Sequence, residues 1–122
     1  MRFKLRLKPG VEAIAEATGE NLGVAERIHR ALPIAGRVEW WGEELYFYIP
    51  LETSVESGRE VVEVGDVAYW PEGPAICVFL GPTPASRGDE VRAYSEVAVF
   101  AKVVEGLEHL RQARRGDEIT LC

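Results

Sequence analysis

Residues 2–8, Arg-Phe-Lys-Leu-Arg-Leu-Lys, alternate polar and apolar side chains and stop at Pro9-Gly10. Period two marks a strand with one buried face, and Pro-Gly is a turn dipeptide. The spacing predicts a strand over 2–8, a tight turn, and a returning strand over 11–17. The period changes after Asn21, a good N-cap residue: Leu22, Ala25, Ile28 and Leu32 recur at helical spacing. Pro33 ends that helix, because the residue before proline is pushed out of the α region. Strand formers return over 37–41 and 44–49, joined at Gly42-Glu43 as a hairpin. Short strands follow over 61–64 and 67–70, then a turn at Pro71-Glu72-Gly73-Pro74. Residues 75–80 are apolar throughout, as in a strand buried on both faces. The stretch 82–96 shows no periodicity and reads as a long loop, of a kind that is usually functional or mobile. A strand over 96–105, a helix over 107–115 with Gly116 at its C-cap, and a closing strand over 117–122 complete the pattern.

Many short strands and only two helices argue for a mainly β protein folded as a single domain over residues 1–122. Exposed strand edges invite aggregation, and closing the sheet removes them. The expected architecture is a closed eight-stranded β-barrel capped by two short helices.

Composition narrows the function. Hydrophobic residues make up 47% of the chain, ordinary for a packed core. No apolar run approaches the ~20 residues that cross a bilayer, and the alternating start lacks the apolar block of a signal peptide. A cytoplasmic protein without a membrane partner is the expectation. Fourteen Lys and Arg against twenty Asp and Glu give a net charge of −6, which opposes binding to nucleic acid. Arg2, Lys4, Arg6 and Lys8 form a local basic stripe, read as a solvated strand face. One Asn, one Gln and one Met beside many Glu resemble the thermophile bias against thermolabile side chains. Cys77 lies in an apolar run and reads as a buried small hydrophobe. Whether it bridges Cys122 stays open.

Three stretches, taken together, carry a resemblance: 41–47 (WGEELYF), 64–71 (VGDVAYWP) and 79–84 (FLGPTP), with 103–108 (VVEGLE) downstream. In order and spacing they resemble a family of small bacterial and archaeal proteins with a cyclophilin-like fold. The resemblance implies the eight-stranded, two-helix barrel and little chemistry, since the family's activity is unsettled. True cyclophilins are peptidyl-prolyl isomerases whose active face centres on a strand arginine. Only Gly36-Arg37-Val38 resembles that motif, without the Phe-x before it or the Gln-Gly-Gly after it. Arg37 is the one catalytic candidate. Ala98 and Ala101 stand where relatives are expected to carry a small polar residue and a glycine.

Other chemistry is sparse. His29 and His109 read as helix-surface residues without partners, and no Ser-His-Asp set is visible. Adjacent strand residues face opposite ways, so Glu43 and Glu44 cannot share a metal ion. Neither a cofactor nor a metal is expected. Aromatic residues crowd between Trp40 and Phe79, and Tyr46 and Tyr48 share one strand face while Phe47 takes the other. Amphipathic rings suit a partly wet pocket. The candidate binding residues are Glu44, Tyr46, Tyr69, Trp70, Phe79, Gly81, Pro82, Thr83 and Pro84. The reading that follows is a non-catalytic protein binding a small molecule or a proline-containing peptide. An isomerase using Arg37 and an auxiliary protein acting as a homodimer are the alternatives.

Overall fold

A computed structural model describes all residues from Met1 to Cys122. Ten strands and two helices follow one another along the chain. The first hairpin pairs β1 (Arg2–Lys8) with β2 (Val11–Ala17), and the alternation over 2–8 explains its two faces. Phe3 and Leu5 are buried, while the intervening basic residues meet acidic partners on β2. Arg2 pairs with Glu16 at 2.6 Å, and Lys4 and Arg6 converge on Glu12 at 3.6 and 3.1 Å. The basic stripe is thus largely neutralised across the hairpin.

Helix α1 (Leu22–Ala31) follows, burying Val24, Ala25 and Ile28. Strand β3 (Ile34–Arg37) pairs with the last strand, β10 (Glu118–Leu121). Val38 separates β3 from β4 (Glu39–Trp41), which forms the expected hairpin with β5 (Glu44–Tyr48). Gly42 opens that two-residue turn at φ +59°, a left-handed conformation that suits glycine. A Cβ there would stand 2.8 Å from Pro84 Cδ and 2.9 Å from Thr83 Cα. Gly42→Ala is therefore expected to cost about 2 kcal/mol in urea unfolding, from left-handed strain plus the overlap. An unchanged midpoint would show that the turn tolerates the side chain.

Four strands remain: β6 (Arg59–Val62), β7 (Asp66–Trp70), β8 (Ala75–Phe79) and β9 (Val91–Glu105). Strand β9 begins inside the stretch expected to be loop, so only residues up to Glu90 connect it to β8. The connection is held by its own bonds. The Thr83 hydroxyl donates to the Arg92 carbonyl, and Glu90 accepts from the Arg87 and Gly88 amides at 3.0 and 2.8 Å. The second helix, α2, is also shorter than expected, covering Leu107–Leu110. Beyond it the Ala113 carbonyl accepts from the Trp40 indole at 2.9 Å.

The ladder runs β3-β10-β1-β2-β9-β7-β8-β5-β4, with β6 attached to β9. This corrects the expected barrel in two respects: there are ten strands, and no ladder joins the two ends of the sheet. The reason lies in 36–38. The Val38 amide donates to Asp117 at 2.8 Å, so its hydrogen bonding is spent on the loop before β10. Gly36 brings β3 against β5, where a Cβ would meet Phe47 Cδ2 at 2.9 Å and the Tyr48 carbonyl at 3.2 Å. The seam is bridged by packing rather than by a ladder.

The curled sheet has two apolar faces. Its concave side holds the main core, including Phe3, Leu45, Phe47, Tyr69, Ile76, Phe100 and Ile119. A second cluster on the convex side joins Val62, Ala68, Cys77, Phe79, Val91, Ala93, Val97 and Val99. Strand β8 lies between the two, and every one of its residues is buried. That is the physical content of its unbroken apolar run.

Candidate functional site

The convex cluster is incompletely covered, and the gap is a cleft. Its lining comes from β4 (Trp41), β5 (Glu44, Tyr46, Tyr48), β7 (Trp70) and the first half of β9 (Ala93, Tyr94, Val97). Its volume is about 160 Å³. An apolar cavity of about 150 Å³ admits benzene, so the room suits one ring or one compact branched group.

Register explains the assembly. Trp41 pairs with Glu44 across the hairpin turn, and Glu39 pairs with Tyr46. Alternation on β5 then sets Glu44, Tyr46 and Tyr48 on the convex side while Leu45 and Phe47 enter the main core. On β9 the pairing with β6 jumps between Arg92 and Val97, so residues 93–96 bulge out of the ladder. Tyr94 is carried outward on that bulge, 69% exposed, between two indoles. Its ring centroid lies 5.8 Å from Trp41 and 6.1 Å from Trp70, at interplanar angles of 75° and 80°. Tyr46 and Tyr48 meet at 5.7 Å and 88°. Edge-to-face geometry makes these rings walls rather than a stack. Trp70 is further fixed by donating its indole N–H to Ser95 Oγ at 2.8 Å, and Ser95 in turn donates to Glu72.

The base of the cleft is a carboxyl. Four polar residues are buried in this protein: Asn21, Glu44, Asp66 and Thr83. Asn21 and Thr83 are satisfied by backbone groups. Asp66 accepts from the Glu63 amide and pairs with Arg59 at 3.4 Å and Lys102 at 3.5 Å. Glu44, only 6% exposed, has no cation beside it, and the Cys77 thiol of β8 is the polar group that bears on its carboxyl. Burial pushes the Glu44 carboxyl up to about 7, with the Cys77 thiol acting in the opposite direction. Burial likewise raises Cys77 well above the ordinary thiol range, with the Glu44 charge adding to it. The Tyr46 phenol is raised by burial first and by Tyr48, Glu39 and Glu44 after that.

Of the residues expected at a site, Glu44, Tyr46 and Trp70 come together here. Phe79 pairs with Glu44 across β5 and β8 and lies fully buried beneath the cleft. Tyr69 takes the opposite face of β7, packs in the main core, and bonds Leu51 and Thr53 through its hydroxyl. Gly81, Pro82, Thr83 and Pro84 buttress the hairpin turn, where Pro82 accepts from the Glu43 amide at 3.0 Å, and do not line the cleft. Arg37 is exposed on β3, donating to the Gly116 carbonyl at 3.3 Å. Glu43 points away from Glu44, toward Arg111 at 3.7 Å. His29 packs edge-on against Phe3, and His109 Nδ1 sits 2.7 Å from the Glu12 carbonyl. Cys77 and Cys122 are both free. Sequence reasoning missed Trp41, Tyr48, Ala93, Tyr94 and Val97 as lining residues. Tyr48 shares the parity of Glu44 and Tyr46, and Trp41 pairs with Glu44, so both were within reach. Tyr94 depends on the bulge.

The profile of the cyclophilin-like family matches residues 1–122. The chain belongs to that family. A hypothetical protein from Archaeoglobus fulgidus, solved in solution, has 35% identity and a TM-score of 0.79 over 99% of this chain and 92% of its own. McbB, solved in complex with tryptophan, superposes at a TM-score of 0.71 with 16% identity. The match covers 98% of this cyclophilin-like chain and 43% of McbB, and at that identity it shows the fold alone. No curated protein matches the chain. No helix is long and apolar enough to cross a membrane.

Proposed function

We propose that this cyclophilin-like protein binds a small organic molecule in the cleft around Glu44. The observation that carries the reading is a buried carboxyl, without a counter-ion, at the base of a cleft walled by aromatic rings. Buried charged groups are ordinarily paired, and Asp66 in this same chain is. An unpaired one facing free space is what a ligand would complete. The isomerase alternative draws no support from the cleft, which contains no arginine.

The test is a fragment screen read by tryptophan fluorescence, since Trp41 and Trp70 both line the cleft. Bound fragments should quench it, and Tyr94→Ala should weaken them about tenfold by removing an aromatic wall. Arg37→Ala should leave affinity unchanged. Fragments that bind equally well to the Tyr94→Ala protein would place the site elsewhere and overturn the proposal.

A further inference from the structure

We infer that the ligand class of this cleft is a small organic cation, an ammonium group with compact substituents, seated over Glu44 and enclosed by Trp41, Tyr46, Tyr48, Trp70 and Tyr94. The inference rests on the cleft being a binding site and adds the sign of the charge it takes.

Three features converge on that sign. The first is the wall chemistry: five rings border the cleft, and no Lys or Arg does. Aromatic faces carry negative quadrupole potential, and cations seated against several of them are held by it. The second is the set of carboxylates around the cleft. Glu44 lies at its base, Glu39 shares the face of Tyr46 through their cross-strand pairing, and Glu72 stands behind Trp70 through Ser95. Glu39 is partly neutralised by Arg115 at 3.0 Å, whereas Glu44 has no cation. An anionic ligand would bury like charge against Glu44 with nothing to offset it. The third is size. About 160 Å³ accommodates a trimethylammonium head or a short amine but not a peptide segment.

Cation binding must also shift the Glu44 proton, because a cation stabilises the carboxylate and not the acid. The titratable groups facing Glu44 are Tyr46 and Tyr48 on its own strand, Glu39 on β4, Cys77 on β8 and Tyr94 on β9. Burial holds Cys77 and Tyr46 in their neutral forms through neutral pH. Glu44 is thus the group whose charge the cation would set.

Choline and its uncharged isostere 3,3-dimethylbutan-1-ol separate charge from shape, and choline keeps its charge at every working pH. In calorimetric titrations of the full chain, choline should bind at least about tenfold more tightly than the isostere at pH 8. Its affinity should rise between about pH 5.5 and 8.5 as the proton leaves, and Glu44→Gln should flatten that rise. The same substitution should weaken choline about tenfold and leave the isostere unaffected. Isostere binding as tight as choline, or a pH rise that persists in Glu44→Gln, overturns the cation assignment while the cleft stands as a site. If neither probe binds and the fragment screen finds no cleft ligand, both readings fall.

Discussion

Glu44→Gln is expected to make the protein more stable at pH 8, by about 3 kcal/mol, while leaving it almost unchanged at pH 4.5. The sign follows from linkage. Burial raises the folded-state carboxyl from the ordinary 4.5 to about 7. At low pH both states are protonated, and Glu44 costs nothing extra. As pH climbs from 4.5 toward 7, the unfolded chain gives up its proton while the folded protein keeps it, so stability falls across that window. Above 7 the folded protein carries the charge and the loss is complete. A difference of roughly two and a half pH units at ~1.4 kcal/mol each sets the magnitude. Glutamine matches the protonated carboxyl in shape and does not titrate. Urea midpoints at the two pH values check the prediction, and parallel wild-type and variant curves from pH 4 to 8 would refute it. A residue expected to weaken its own protein at neutral pH fits a site rather than a scaffold.

How much of this was legible in the sequence depended on how directly period and turn chemistry reported the environment. Arg2–Lys8, Pro9-Gly10 and the hairpin around Gly42 were readable because each local signal agrees with the final packing. The unbroken apolar run of β8 correctly announced a strand with two covered faces. The start of β9 was harder. Val91, Ala93 and Val97 share one parity and are all buried, but Ala93 and Ser95 are small and the bulge at 93–96 interrupts the ladder. Tyr94 was lost with it. The barrel seam was beyond reach for another reason: whether β3 and β5 join by hydrogen bonds or by packing turns on Gly36 and on Val38 bonding the loop before β10. Alternation placed Glu44 on the face opposite Phe47, and the sequence had no means of showing that this second face was also buried. That is why the carboxyl stood out only in three dimensions.

The same limit governs the second large effect, at Asn21. Sequence position made it a helix cap, yet its side chain caps nothing: the backbone is left-handed at φ 51° and ψ 49°. Its amide instead joins three parts of the fold. Nδ2 donates to the carbonyls of Ser57 at 2.8 Å and Val99 at 2.9 Å, and Oδ1 accepts from the amides of Glu56 and Ser57 at 3.2 and 2.8 Å. The start of α1 is thereby tied to β9 and to the segment before β6. Asn21→Ala leaves the buried Val99 carbonyl without this donor and breaks three part-buried bonds to Glu56 and Ser57. An unmet buried partner costs ~1–3 kcal/mol and an ordinary bond about 1 kcal/mol, so a loss of about 3 kcal/mol is expected. Alanine pays in addition for the left-handed backbone, and glycine does not. Asn21→Gly should therefore be the milder of the two by about 1 kcal/mol, although it removes the same four bonds. Asn21→Asp keeps the acceptor for Glu56 and Ser57 but turns an oxygen toward the Ser57 and Val99 carbonyls, so it should fall well below wild type. Urea unfolding of the three variants tests the ranking. Asn21→Ala within 1 kcal/mol of wild type would mean that the side chain is not the tie between helix and sheet, and Asn21→Ala no more damaging than Asn21→Gly would mean that the left-handed backbone adds no strain.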